Sequence, residues 1–558
     1  MASPNDLLLI DAHRYRYRAG VRFGFIFPAL KQSNCRFLID SAKIETDDRS
    51  EIAMPELQVS IARHYHERTK YDPATIASKS QSLDWSKQPA PFKAYKIGAT
   101  YDLNPYLNAT PESGEAGDWQ RLSRLLYCSY GLTAKMLTMS GDPIYLRSTP
   151  SAGGLYPAEV YLISRGTPLL PAGLYSYQPQ THSLVRFWDS EIWPSLQAAC
   201  FWHPTLDNTQ LAIVLTAVFY RSAWRYQDRA YRRIYLDTGH LLGNLELAGT
   251  INNYRPHLIG GFHDAFMDEL LYLDREQEGV TAVLPLADLL DVRQNLPLAP
   301  TAFPSATQLD YPDIPDGELL AYFHQATQIA SAPDANAAPA IAVSDKYNFP
   351  FCLKVSTASE PIAWGEDLSG LEKTIHQRRS TRAYSGASLK LAELNALLDF
   401  TYQPQHYIDQ ELDPTPDYFD VNLIETFIAV SGVDGLEEGC YYYAPKAQEL
   451  RQVRFKNFRR ELHFLCLQQN LGRDAAAVVF HTADLQTAVE QYGDRVYRYL
   501  HMDAGHLGQR LNLAAIRLGL GVSGIGGFFD DAVNEVLGIP IDEAVLYITT
   551  LGRPSSAI

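Results

Sequence analysis

The chain has 558 residues, of which 46% are hydrophobic and 20% are charged, as is typical of a globular protein with two or more domains. A formal net charge of -16 argues against nucleic acid or an anionic membrane as a main partner, because both attract basic surfaces. The six cysteines form no C-x-x-C pair and no run of about 18 apolar residues occurs, so we expect a cytoplasmic protein without disulfides, bound metal or a membrane span.

The first 53 residues differ in pattern from the rest of the chain. Arginines alternate with tyrosines between Arg14 and Arg22, and an acidic run follows. We interpret residues 1–53 as a basic-aromatic strand, as a loosely ordered extension, or as sequence upstream of a true start at Met54. A first domain is predicted over 54–300, and the spacing of its leucines predicts an amphipathic helix over Trp119–Tyr130.

The most distinctive stretch of the first domain is R-S-T-P-S-A-G-G-L-Y-P, from Arg147 to Pro157. Gly153 and Gly154 carry no side chain, so the backbone of this turn can approach a flat ligand closely. The alternative is an ordinary loop before the alternating strand that is predicted from Ala158. Further along, the continuous apolar run 211–218 predicts a buried strand.

A linker is predicted over 301–345, and beyond it the pattern of the first domain starts again in a second domain, 346–558. The pairs Pro179 and Pro445, His240 and His506, and Gly260 and Gly526 share one offset of 266 residues. A constant offset over so long a span indicates an internal duplication of a whole domain. Two such copies are expected to pack about a pseudo-twofold axis, in a chain that is a monomer or a homodimer.

The two copies differ at complementary positions. Gly153 and Gly154 correspond to Phe419 and Asp420, whose side chains leave no room for the same close approach. Conversely, alignment of the leucine helices that follow, Leu394 on Leu122 at an offset of 272, places the R-R-S-T-R stretch 378–382 on the uncharged Y-L-N-A-T stretch 106–110 of the first copy. Two guanidinium groups and a hydroxyl that alternate along an extended segment suit a phosphate, whereas a solvated basic turn is the alternative. A ligand site between the copies would therefore be complete only once per chain.

Together, these motifs resemble the FMN-dependent nitroreductase superfamily and, within it, the SagB/ThcOx-type dehydrogenases. The resemblance rests on R-R-S-T-R, P-S-A-G-G-L-Y-P, the D-R-x-Y-R stretches before D-x-G-H, and L-G-R-P at 551–554, and it covers the chain twice from about residue 120. It implies an α+β fold of two tandem α-β-α sandwich domains with mainly antiparallel sheets. It also implies an intramolecular pseudo-dimer with one FMN at the interface of the two repeats.

The resemblance also implies a set of site residues. In the second copy, the phosphate and the reactive edge of FMN would be held by Arg378, Ser380, Arg382, Arg553, Ile525, Gly526 and Gly527. The first copy would contribute the turn formed by Pro150, Ser151, Ala152, Gly153 and Gly154. Arg225 and Tyr226 stand where azoline oxidases of this family carry a Lys-Tyr pair that removes a proton. Arginine is a poor base, whereas Tyr226 is either an acid or base in catalysis or a packed core tyrosine.

The predicted function is that of an FMN-dependent oxidoreductase acting on a small heterocycle or a peptide-derived intermediate, with NAD(P)H or O2 as a possible redox partner. The alternatives are an NAD(P)H-dependent nitro- or quinone reductase and a non-catalytic partner protein in a biosynthetic complex. Asp237 and His240 recur in both copies as Asp503 and His506, including the copy expected to lack a site. A structural role is therefore favoured for them over a catalytic one.

Overall fold

The computed structural model describes residues 59–76, 83–108, 114–137, 141, 143–294, 296, 298–332 and 345–555. The predicted extension, residues 1–53, lies outside the described residues.

Each copy contains one seven-stranded sheet and one further pair of strands. The strands of the first copy are β1 (Ala99–Asp102), β2 (Leu132–Leu137), β3 (Pro143–Arg147), β4 (Ala158–Ser164), β5 (Gly173–Gln178), β6 (Ser183–Trp188), β7 (Leu211–Val218), β8 (Tyr254–Pro256) and β9 (Glu278–Asp288). The second copy has β10 (Lys354–Ser356), β11 (Leu389–Lys390), β12 (Glu425–Val430), β13 (Val433–Asp434), β14 (Gly439–Ala444), β15 (Glu449–Arg454), β16 (Ala477–Ala483), β17 (Gly521–Ile525) and β18 (Ala544–Gly552).

The two large sheets have the same strand order. The first runs β1-β6-β5-β4-β7-β9-β8 and the second β10-β15-β14-β12-β16-β18-β17, and all neighbours in both are antiparallel. The apolar run 211–218 forms β7 and is buried except at Val218, as predicted. The strand from Ala158, β4, was predicted to alternate but is buried along its whole length, as are β12 and β16. The predicted α+β fold of two tandem domains is confirmed.

Helices cover these sheets in both copies. In the first copy and the connecting segment they span Ile61–Arg68, Asn104–Leu107, Glu115–Tyr130, Trp193–Ala199, Thr205–Asn208, Phe219–Tyr226, Ala230–Ile251, Asp264–Leu270 and Leu319–Ala326. In the second copy they span Ser369–Gln377, Leu391–Tyr402, Arg459–Leu465, Asn470–Asp474, Leu485–Tyr492, Val496–Arg517 and Asp530–Leu537. Within the described ranges, no helix combines the length and the apolar character needed to cross a membrane.

The two copies meet along a pair of equivalent buried helices, the first central helix (Ala230–Ile251) and the second central helix (Val496–Arg517). They cross at Gly239 and Gly505, which are 266 residues apart. A Cβ on either glycine would collide with a backbone carbonyl of the opposite helix, at Met502 or Leu236. Glycine at both positions therefore lets the two backbones approach closely on the pseudo-twofold axis.

Ion pairs are exchanged across the same interface in a symmetric way. Asp530 of the second copy accepts from Arg229 at 2.8 Å and from Arg232 at 2.7 Å. Asp264 of the first copy pairs in the same manner with the equivalent arginines of the second, 495 and 498, at 2.7 and 2.9 Å. All these side chains are buried, so each copy supplies the counter-charges that the other needs.

The predicted linker, 301–345, contains more than a flexible connector. Its described part includes the helix Leu319–Ala326, and His324 of that helix is buried. The backbone carbonyl of His324 accepts a hydrogen bond from Nη2 of Arg498 at 2.9 Å. This part of the segment therefore packs on the second central helix.

Candidate functional site

The glycine-containing turn of the first copy is held by a buried carboxylate. Residues Ala152–Gly154 form a short 3-10 turn after Ser151, and the φ angles of Gly153 and Gly154 are +68° and +67°. Oδ2 of Asp237 accepts from the Ser151 hydroxyl at 2.5 Å, and Oδ1 accepts from the Ala152 amide at 3.1 Å. Burial raises the pKa of Asp237 to about 7, although both hydrogen bonds oppose this rise.

Arg225 and Tyr226 lie directly against this turn. A Cβ placed on Gly153 would be 2.8 Å from the Tyr226 hydroxyl and 3.4 Å from Nη1 of Arg225. The guanidinium of Arg233 lies over the other side of Tyr226, with Cζ 3.7 Å from the centre of the ring. The structure thus brings together the turn and both predicted catalytic residues, all from the first copy.

Arg233 connects this group to the glycines of the second copy. Its Nη1 is 3.0 Å from the Cβ position of Gly526, and its Nη2 is 3.4 Å from that of Gly527. These glycines follow Ile525, the last residue of β17. The predicted contributions of the two copies therefore meet at one place, and the missing side chains at 526 and 527 leave room for the guanidinium.

Arg378 crosses from the second copy to the strand before the turn. Its Nε donates to the carbonyl of Ser148 at 2.6 Å and its Nη2 to that of Arg147 at 3.2 Å. Its Nη1 is buried without a partner within the described residues, as are the hydroxyl oxygens of Ser148 and Thr149. Burial lowers the pKa of Arg378 to about 10. A buried guanidinium nitrogen and two hydroxyls that lack partners fit an anionic group of a ligand.

The other predicted phosphate residues are placed differently. Ser380 is half-buried and Arg382 is exposed, whereas Arg378 is buried. The alternate residues of the R-R-S-T-R stretch therefore do not share one buried face. The stretch is nevertheless tied to β17, since the amide of Thr381 donates to the carbonyl of Val522 at 2.8 Å. Nη2 of Arg553 donates to both carboxylate oxygens of Glu393 at 2.9 and 2.7 Å, an ion pair that competes with any anionic ligand.

Tyr71 is a residue of this region that the sequence did not reveal. Its ring lies 3.8 Å from the Cβ position of Gly527, and Cζ of Arg229 lies 4.2 Å from the ring centre. Burial raises the pKa of Tyr71, but the guanidinium groups of Arg233 and Arg229 outweigh that effect and lower the pKa below its ordinary value. Tyr71 lies in a polar stretch far from the motifs, and no local pattern marks it.

The equivalent position in the other half of the interface is filled by aromatic side chains. Asp503 accepts from the amides of Phe419 and Asp420 at 3.0 and 2.9 Å, as Asp237 does for the glycine turn. The ring of Phe419 stacks on Tyr499 at 4.6 Å and occupies the place where Gly260 would carry a Cβ. Phe303 blocks Gly261 in the same way. Only one of the two equivalent positions thus keeps an open glycine turn.

Comparisons with known proteins match this architecture. The nitroreductase family profile matches residues 121–287 and 375–553, once in each copy. A crystal structure of a nitroreductase-family protein from Anabaena variabilis is 72% identical, with a TM-score of 0.85 over 89% of this chain and 99% of that one.

Two relatives with shorter matches are a nitroreductase-family protein of Methanocaldococcus jannaschii and the trifolitoxin-processing protein TfxF of Rhizobium leguminosarum. The first is 32% identical over 33% of this chain and 90% of its own length. The second is 30% identical over 23% of this chain and 42% of its own length. The two profile matches together span more than half of the sequence, so the chain belongs to the nitroreductase family and carries two tandem copies of its domain.

Proposed function

We propose that this protein is an FMN-dependent oxidoreductase with one cofactor site per chain, at the interface of its two copies. The observation that carries the proposal is the asymmetry between two equivalent positions. One keeps Gly153 and Gly154 in a turn beside Gly526, whereas the other is filled by Phe419 and Phe303. A flat ring system needs the first kind of surface and is excluded by the second.

The residues present fit FMN. Arg378 would supply a buried guanidinium nitrogen for a phosphate or ribityl oxygen, together with the hydroxyls of Ser148 and Thr149; none of the three has a partner in the part of the chain that the structure describes. Arg382 is exposed nearby and adds a second positive charge. The turn at Gly153 and Gly154 would supply backbone surface for the ring, and the guanidinium of Arg233 lies over Gly526 and Gly527 on the side of the second copy. When bound, FMN supplies two-electron hydride chemistry at its ring, and the protein supplies position and proton transfer.

Two phenols are placed to move the proton that accompanies hydride transfer. Tyr226 lies on the turn, and Tyr71 lies beside Gly527 under two guanidinium groups. The lowered pKa of Tyr71 leaves more phenolate at neutral pH than an ordinary tyrosine has. The guanidinium of Arg225 would hold negative charge, because arginine is a poor base.

The proposed substrate class is a small heterocycle or a peptide-derived intermediate, as in SagB-type dehydrogenases. Support comes from the motifs quoted above and from the partial likeness to TfxF, which is named as a trifolitoxin-processing protein. The second candidate is an NAD(P)H-dependent nitro- or quinone reductase, favoured by the nitroreductase names of the Anabaena and Methanocaldococcus relatives. Anaerobic NADPH would bleach the absorbance of bound FMN in the reductase and leave it unchanged in the dehydrogenase, for which the proposed redox partner is an acceptor such as O2.

The cofactor site is tested by FMN titration of Arg378→Ala with Arg379→Ala as its matched control. Arg379 also bonds to the first copy, through the carbonyl of Thr133 at 2.9 Å, and it is half-buried. Removing a charged hydrogen-bond donor to the phosphate costs about 1.5–3 kcal/mol, so we expect Arg378→Ala to weaken FMN binding about 10- to 100-fold. Arg379→Ala should bind FMN with an affinity close to that of the wild type.

The stoichiometry of the wild type completes this test. Absorbance of the bound flavin should give one FMN per chain at saturation. Two FMN per chain would contradict the single site, and equal affinities of the two arginine variants would contradict the phosphate assignment. A protein that binds no FMN at all would support a non-catalytic partner role.

A further inference from the structure

A separate cavity lies in the half of the interface that the aromatic side chains fill. It has a volume of about 260 Å³ and is bordered by the first central helix, β8, the loop at 411–417 and His506 of the second central helix. Two of its lining residues correspond, at the offset of 266, to the candidate FMN site or its neighbour. Asp417 stands where Ser151 does, and Leu258 directly precedes Ile259, the equivalent of Ile525.

The charge of this cavity is opposite to that of the candidate FMN site. Four carboxylates line it, those of Glu246, Glu411, Asp413 and Asp417, against the single guanidinium of Arg255. Arg255 is itself neutralised, since it pairs with Asp413 at 2.8 Å and with Asp417 at 2.9 Å. An anion such as a phosphate is therefore disfavoured here, and a cation is attracted.

Glu246 gives the cavity a polar group of which one oxygen has no protein partner among the described residues. The residue is nine-tenths buried, and its Oε2 lies 2.8 Å from Nη1 of Arg510 and 3.5 Å from Nε2 of His506. Its Oε1 is buried and has no hydrogen-bond partner within the described residues. A buried carboxylate oxygen requires a hydrogen-bond donor, and a ligand in the cavity would supply one.

The remaining walls are apolar. Leu242, Leu258, Leu284 and Leu412 line the cavity around Glu246, and the exposed Leu289 stands at its edge. Apolar walls with a few convergent polar groups are the usual arrangement of a site for a small organic ligand. A ligand that suits both features has an apolar body and one ammonium group, which donates to Oε1 of Glu246.

We propose that this cavity is a second, independent binding site, and that it takes a small organic amine with an apolar body. The site lies beside the position equivalent to the candidate cofactor site. Its lining residues differ from those of the candidate FMN site, so it does not depend on the proposed function. Its ligand is recognised by a positive charge, whereas FMN is recognised through a negative one.

The probe for this site is 2-phenylethylamine, with 3-phenylpropionate as a matched anion of similar size. Both are titrated calorimetrically into the full chain after saturation with FMN. We expect the amine to bind at least about tenfold more tightly than the carboxylate, the ratio that one charge-assisted hydrogen bond supports. Equal binding of the two probes, no binding of the amine, or release of FMN by the amine would each overturn the proposal.

Two variants locate the binding. Glu246→Gln should reduce amine affinity about tenfold or more. This variant also leaves Arg510 without its counter-charge, which can disturb folding. A second variant, Leu289→Arg, avoids that problem because it places a cation at the exposed edge of the cavity. Leu290→Arg, at a neighbour that is 64% exposed and outside the lining, is its control. Amine binding should be weakened by Leu289→Arg only; equal effects of the two arginine variants would refute the location.

Discussion

The contact between Gly153 and Tyr226 can be tested by adding a single methyl group. Gly153→Ala and Gly154→Ala change adjacent residues with nearly the same φ, +68° and +67°. A Cβ at Gly153 would lie 2.8 Å from the Tyr226 hydroxyl, whereas a Cβ at Gly154 would have no atom of another described residue within 4 Å, its two chain neighbours aside. Gly154→Ala therefore reports backbone strain alone, and Gly153→Ala reports the same strain plus the contact.

The expected losses of stability follow from these distances. An alanine in the left-handed region costs about 1–2 kcal/mol, which applies to both variants. At Gly153, the phenol must also move from 2.8 Å to at least 3.4 Å to reach an ordinary contact. Overpacking of this kind costs about 1–3 kcal/mol. We expect Gly153→Ala to lose more stability than Gly154→Ala by about 1 kcal/mol or more.

A double-mutant cycle with Tyr226→Phe isolates the contact, because phenylalanine lacks the oxygen that the new methyl group meets. Free energies of unfolding are measured by denaturant titration of the four proteins of the cycle, with Gly154→Ala measured in both backgrounds. In the Tyr226→Phe background, the two alanine variants should lose equal stability. Equal losses already in the wild-type background would refute the placement of Tyr226 against the turn.

Three further predictions concern the interface. Phe419→Ala removes a buried ring that stacks on Tyr499, and should cost about 3–5 kcal/mol in denaturant titration while the flavin absorbance still gives one FMN per chain. Asp530→Asn leaves Arg229 and Arg232 buried without their counter-charge, and should cost about 3–5 kcal/mol. The two guanidinium groups outweigh burial and lower the pKa of Asp530. The stability difference between wild type and variant should therefore be full above about pH 3.9 and should disappear as the pH falls below that value. A difference that does not depend on pH would contradict this. Tyr71→Phe should remove one tyrosine that ionises below the ordinary phenol range, as seen in ultraviolet difference titration; an unchanged titration would show that the arginines do not act on this phenol.

Several features of the site could be predicted from local patterns. The turn at 150–154, the R-R-S-T-R stretch and the I-G-G stretch were expected to meet, and the structure places Gly153, Arg378 and Gly526 in one region. The arginines and glycines in these motifs indicate anion binding and close backbone approach by their residue type alone, so the motifs can be recognised in the sequence. The roles of these residues toward FMN stay predictions until the cofactor titration is made.

Other features could not be predicted because they depend on contacts between distant residues. Arg553 looks like an available cation in the sequence, but a bidentate pair with Glu393 already neutralises it. Tyr71 lies in a stretch without a motif, and its pKa is lowered only because Arg233 and Arg229 pack against it. The segment that looks like a linker contains a helix whose His324 is buried against the second copy.

The sequence by itself determined that this protein is a duplicated domain whose copies have lost complementary motifs. A constant offset of 266 residues and the exchange of Gly153 for Phe419 are visible without coordinates, because both are properties of the linear order. Only the tertiary structure decided which side chains fill the position equivalent to the candidate FMN site in the other half of the interface. Phe419 and Phe303 come from different segments and fill it together, and acidic side chains gather beside it around Glu246. Packing brings such residues together over long separations, and a linear pattern does not record it.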